Sequence, residues 1–186
     1  TDNFNIIDLG GIIRTNSSVF SNNYFEIPST IAPQLANSSF TIEFWAKINS
    51  LTGDPSITFQ GDISVYNMIY FNSTSNKILL NMENGSSEFD ITSLILSNWN
   101  HFAMVFDSLG ESNYGSSICY FNGISQTPTY WTDVGHTDPG MQGGTTAAGK
   151  ITIGKHNSNS TNYLDGELKK LKVWNTIRTT TEIQES

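Results

Sequence analysis

A chain of 186 residues has the length of one domain with a full core. Charged side chains are only 14%, and Asn, Ser, Thr and Gly abound, which excludes coiled coils and helical bundles; 12% aromatic residues exclude disorder. The formal net charge is -8 without any basic stripe, which disfavours nucleic acid and anionic membrane surfaces as partners, and no apolar run is long enough to insert into a bilayer.

The elements follow in chain order. Phe4 to Ile13 carries Phe4, Ile6, Ile7 and Leu9 and reads as strand up to Gly10-Gly11. Val19-Phe20 and Tyr24 to Ile27 flank a polar Ser21-Asn22-Asn23 turn and predict a short hairpin ended by Pro28. From Phe40 to Ile48 the residues Phe40, Ile42, Phe44, Ala46 and Ile48 alternate with others, the pattern of a half-buried antiparallel strand. Strands are expected at Ile57 to Phe59, Ile63 to Phe71 and Lys77 to Met82, with a turn at Asn84-Gly85 before Phe89 and Ile91. His101 to Phe106 is almost continuously apolar, which suits a central strand covered on both faces. Ile118 to Phe121 ends in a second hairpin signal, Asn122-Gly123. The lone cysteine, Cys119, sits between apolar neighbours, forms no internal disulfide and reads as a small buried hydrophobe.

Residues 125–149 are rich in Gly and contain Pro128 and Pro139, so they predict a long irregular excursion of the kind that often carries function. Order returns with Ile151 to Gly154 and Leu168 to Trp174. Thr179 to Glu185 closes the chain with Thr179 and Glu182 in capping-box order. Short strands about ten residues apart, joined by hairpins, give an all-β fold: an antiparallel two-sheet β-sandwich of jelly-roll type. Charge is uneven: residues 1–149 hold 13 acidic and 3 basic side chains, and residues 150–186 hold 4 acidic and 6 basic ones.

Three stretches together carry a resemblance. They are Val19 to Pro28 with Phe40 to Lys47, Trp99 to Asp107 with Tyr120 to Gly123, and Ile151 to Gly154 with Tyr163 to Asn175, trailed by Arg178 and Glu182-Ile183. In this order they resemble laminin-G-like, concanavalin A-like lectin/glucanase jelly-roll domains, over residues 19 to 183. The resemblance implies one such domain across 1–186, a module with covalent neighbours in a larger chain. Such modules are extracellular or surface-exposed: secreted, on a cell, or on a virion. It also implies that His101, Trp45, Trp99 and Trp174 serve the framework, the tryptophans as core.

The resemblance alone leaves function open, because this fold serves lectins, adhesins, pentraxins and glycosidases. Relatives usually carry an acidic pair where this chain has Lys169-Lys170, and the first acid helps hold a structural calcium. Lys169 shares parity with Leu171 and Val173, so by alternation it points inward and stands in for that cation; the alternative is a bulge that turns it out to solvent. Glycosidases of this fold need acids at alternate positions on one strand. Glu88-Phe89-Asp90 begins that pattern, but position 92 is Thr, so no enzyme is expected.

Two recognition chemistries remain. Hard cations need several oxygen ligands from loops, and Asp133, Asp138 and Gln142 in the long excursion are the candidate calcium ligands. Sugars need aromatic faces and paired amide or carboxylate hydrogen bonds. Tyr114, Tyr130, Trp131, Asp133, His136 and Asn159 are the candidates for a glycan or glycoprotein ligand, Tyr130 and Trp131 either stacking on it or anchoring the loop. The expected function is therefore non-catalytic, lectin-like recognition, with a structural or protein-binding domain of an adhesin or fibre as the alternative.

Overall fold

The structure is a computed structural model. It describes residues 18–20, 24–27, 39–52, 54, 56–59, 67–82, 85–107, 116–132, 151–155, 163–174 and 176–185. The expected strand Phe4 to Ile13 lies outside them.

Two antiparallel sheets face each other. The front sheet runs in the order β1 (Ser18–Phe20), β13 (Asp165–Trp174), β3 (Phe40–Ser50), β8 (Trp99–Asp107), β9 (Ser116–Phe121), β10 (Ile124–Gln126). The back sheet runs β11 (Thr129–Thr132), β7 (Gly85–Asp90), β6 (Lys77–Met82), β5 (Asn67–Asn72), β4 (Ser56–Phe59), β12 (Ile151–Ile153), β2 (Phe25–Ile27). A single short helix, α1 (Thr180–Gln184), follows β13 among the described residues.

The alternation in β3 is what builds the core. Phe40, Ile42, Phe44, Ala46 and Ile48 are all fully buried against Ile69, Ile78, Leu80 and Phe89 of the back sheet. Phe102 of β8 is the hub: its ring lies 5.4 Å from Phe44, 5.1 Å from Phe121 and, across the sandwich, 5.3 Å edge-on to Phe71. One polar tie crosses the core, where Ser117 Oγ of the front sheet donates to Ser87 Oγ of the back sheet. Each hydroxyl so satisfies the other where water is excluded. Cys119 is fully buried, and burial pushes its thiol pKa far above the ordinary value, as a small core hydrophobe requires.

The central strand β8 is covered on both faces, as its apolar run predicts. Its inward residues join the core, while Ala103 and Val105 face outward and are closed by Ile183 of α1, with Tyr120 beside them. The helix is fixed by a complete capping box between Thr179 and Glu182 and by a 2.8 Å hydrogen bond between Tyr120 Oη and Thr180 Oγ1. Thr41 secures the approach to it, accepting from the Arg178 amide and donating to the Thr176 carbonyl, both at 2.9 Å. The Asn122-Gly123 turn forms as predicted, with φ of 50° and 78° at its two residues.

Four expectations are corrected. Val19-Phe20 and Tyr24 to Ile27 do not form a hairpin: β1 pairs with β13 and β2 with β12, so the chain crosses between sheets there. The expected turn before β7 does join β6 and β7 as a hairpin, but Gly85 is not at its tip: it opens β7, paired with Met82. The expected excursion 125–149 is not irregular at its start, because β10 reaches Gln126 and β11 runs from Thr129 to Thr132, each adding an edge strand to a different sheet. Lastly, Lys169 does not point into the core; of its two readings, the bulge is the one that holds. Its register with Trp45 gives way to that of Lys172 with Glu43 through a bulge, and Lys170 takes a φ of 53° there. The bulge shifts the alternation by one, so Leu168 and Leu171 both enter the core while Lys169 lies on the outer face.

Candidate functional site

The described residues that flank the predicted site residues in sequence fall at two ends of the sandwich. Asp107 and Ser116, which bracket Tyr114, are paired at the end where β3 begins. Thr132 and Ile151, which bracket Asp133, His136, Asp138 and Gln142, pair with Gly85 and Phe59 at that same end. Lys155 and Tyr163 bracket Asn159 and are bridged to each other at the opposite end, beyond Ile153. Tyr114, Asp133, His136, Asp138, Gln142 and Asn159 themselves lie outside the described residues. Tyr130 and Trp131 belong to β11, in register with Ser87 and Ser86.

The described residues concentrate aromatic and charged groups on the outer face of the front sheet. In β3 the core residues alternate with Glu43, Trp45 and Lys47, and in β8 with Trp99 and His101. Cross-strand register then assembles rows. Glu167, Lys47 and Trp99 form one; Lys169, Trp45 and His101 form the next; Lys172, Glu43 and Ala103 the third. Trp45 and Trp99 are half-buried here rather than core residues, and Trp174 is buried on this same outer side beneath the Arg178 guanidinium, 4.2 Å from its ring.

Charge on this face is largely compensated. Lys47 Nζ meets Glu167 Oε1 at 2.8 Å, and Lys172 Nζ meets Glu43 Oε1 at 3.4 Å. Glu43 is almost wholly buried, and its Oε1 also lies 3.4 Å from His101 Nε2. The His101 ring leans on Trp45 at 5.1 Å between centroids, a framework role as expected. Lys169 differs from these lysines. Its ammonium sits 3.9 Å from the centre of the Trp99 ring and 5.6 Å from that of Trp45. A second cation–aromatic group stands at the sandwich end, where Lys155 Nζ lies 4.8 Å from the Tyr24 ring and 5.6 Å from that of Tyr163.

The strand with the incomplete acid pattern is also committed elsewhere. Glu88 is ion-paired to Lys77 at 2.6 Å. Asp90 accepts from the Thr92 amide at 2.7 Å, and this hydrogen bond holds its carboxyl below the usual range. Among the described residues, no group of three His, Cys, Asp or Glu side chains could hold a metal ion. The outer front face thus offers indole surface, an ammonium and amide-free ion pairs, which is chemistry for binding. The sequence reads Trp45 and Trp99 as core and leaves Lys169 between an inward place and an outward one through a bulge; the register shift decides for the bulge.

Comparison with known proteins extends this. The model of a family described as the concanavalin A-like lectin/glucanases superfamily matches residues 20–184. Among solved structures, a heptameric SAP-like pentraxin from Limulus polyphemus superposes with a TM-score of 0.56 at 15% identity, covering 89% of this chain and 77% of the pentraxin. The CBM40 of the Ruminococcus gnavus IT-sialidase, bound to α2,3-sialyllactose, gives 0.60 at 12% identity, covering 80% of this chain and 82% of the CBM40. The NanB sialidase from Streptococcus pneumoniae gives 0.60 at 15% identity, covering 90% of this chain but only 27% of NanB. At such identities the likeness is one of fold. A search of curated proteins gives no match.

Proposed function

Because the chain belongs to the concanavalin A-like lectin/glucanase superfamily, we propose that it is a non-catalytic carbohydrate- or glycoprotein-binding module. The observation that carries this reading is the pair of half-buried tryptophans, Trp45 and Trp99, on the outer front face. Indole faces stack on the C–H surfaces of sugars, and these two are held in place by strand register rather than by a mobile loop. Two features support binding without bond chemistry. Glu88 and Asp90 are tied up by Lys77 and Thr92, and the sugar-bound neighbour is a carbohydrate-binding module of a sialidase.

The module acts outside the cell or on a cell or virion surface, and it is joined to other domains, as a match to about a quarter of NanB suggests. Calcium, held by Asp133, Asp138 and Gln142, is proposed as an auxiliary to capture. A glycan array with the purified protein, run in calcium and again in chelator, tests the glycan-binding and calcium readings. Hits in both conditions support aromatic and amide capture; hits lost in chelator add the metal. An array without hits in either condition overturns the glycan reading and favours a protein-binding or spacer domain.

A further inference from the structure

Nine basic side chains oppose 17 acidic ones in this chain, yet one strip of its surface is locally cationic. Lys47, Lys169, Lys170, Lys172 and Arg178 lie on, or directly follow, the adjacent strands β3 and β13. Three of them are compensated: Lys47 by Glu167, Lys172 by Glu43 and Arg178 by Glu182. Lys169 has no acidic partner among the described residues; its contacts there are the Trp99 and Trp45 rings. Lys170 next to it is exposed in the bulge.

An ammonium over an indole keeps its full positive charge, because the ring offers only a quadrupole. Two rings fix where that charge stands and restrict the rotamers of a flexible side chain, so less ordering remains to be done when a ligand arrives. Both ring centres lie within 5.6 Å of the one nitrogen, a span on the scale of a single pyranose. A neutral sugar would gain little from the charge. A sugar bearing a carboxylate or sulfate would set its anion on Lys169 and its ring against the exposed part of Trp45, with Lys170 adding long-range attraction.

We propose that the Trp45–Lys169–Trp99 strip is a subsite for an acidic sugar. The proposal rests on the glycan-binding reading and narrows it to anionic saccharides. It also accounts for the position of the bulge. Without the register shift at Lys170, Lys169 would be sent toward the core and Trp99 would lose its cation.

The test is an array of sialylated, uronate-containing and sulfated glycans beside their neutral counterparts, followed by titration of the best hit with tryptophan fluorescence as readout. The expected result is tighter binding of acidic than of neutral partners, on the order of tenfold, as for a hydrogen bond to a charged group. Lys169→Met keeps the apolar stem on Trp99 and should erase that margin; Lys169→Arg keeps the charge and should retain most of it. The arm that binds, carboxylate or sulfate, identifies the source of the anion. Acidic glycans that bind Lys169→Met as well as the native protein would overturn the subsite and leave the glycan reading intact, as would hits confined to neutral glycans. An array empty for every class would overturn both.

Discussion

Gly166 sits where the backbones of β13 and β3 approach too closely for a side chain. Its φ is +155°, and a Cβ built there would stand 2.1 Å from the Lys47 carbonyl oxygen and 3.1 Å from Ile48 Cα, all backbone that no rotamer change can move. A carbon–oxygen contact needs about 3.3 Å, so Gly166→Ala must part β13 from β3 by about 1 Å. The backbone strain at such a φ costs about 1–3 kcal/mol for a residue with a Cβ, and a weakened ladder hydrogen bond costs about 1 kcal/mol more. The expected total is about 3 kcal/mol, and urea unfolding should show the midpoint falling by roughly 1.5 M for an m-value of about 2 kcal/mol/M. Gly123→Ala is the control. Its φ of +78° is also left-handed, but its Cβ would meet only Gln184 Cγ at 3.8 Å, so the loss should stop at about 1 kcal/mol. If the two variants lose equal stability, the close approach at Gly166 contributes nothing and the steric argument is refuted.

Three other outcomes follow from the same geometry. Phe102→Ala removes a fully buried ring that touches Phe44, Phe121 and Phe71, and calorimetry should show a loss of about 3–5 kcal/mol; a loss under 1 kcal/mol would mean the rings do not share one core. Ile183→Ala empties the contact with Ala103 and Val105 and should cost about 2–4 kcal/mol in denaturant unfolding, whereas an exposed substitution at Ile177 should cost almost nothing. The Glu182 carboxyl is held below its usual range, first by the hydrogen bond from the Thr179 amide. Its contribution is therefore present above the unfolded pKa and fades as pH falls through the folded one. Carbon-13 titration should place Glu182 below an ordinary glutamate, with the Ile183 methyls shifting in step; a normal titration would show that the capping box is not formed in solution.

Much of the fold was legible because strand alternation and β-propensity agree with burial. Phe40 to Ile48 shows five inward residues in a row of nine, and all five are fully buried. The capping box was legible for a different reason: it is a local device, with Thr179 and Glu182 three residues apart and bonded to each other. Partnering was less legible. Nothing in Val19-Phe20 says that its partner is Glu167, nearly the whole chain away, rather than the strand just after it. Short separation made a hairpin the natural expectation, and pairing with strands distant in the chain overrode it. The resemblance to laminin-G-like domains is borne out by the family match, which spans the same stretch.

The outer front face was the least legible part, and its geometry explains why. A strand's two faces are distinguished in sequence only when one is apolar and the other polar. Here the outer face also carries Thr41, Trp45, Val105 and Trp174, because α1 and the segment before it cover one part of it. Tryptophans on such a strand read as core. Only the register rows reveal that Trp45 and Trp99 share the side of Glu43 and Lys47, and only the bulge brings Lys169 to them. The covered part and the open part of this face are therefore separable. Ile183, Tyr120 and Arg178 seal the rows nearer the start of β3, while Trp45, Trp99 and Lys169 occupy the rows nearer its end. Substitutions in the first set should change stability with little effect on ligand affinity, and substitutions at Lys169 should do the reverse.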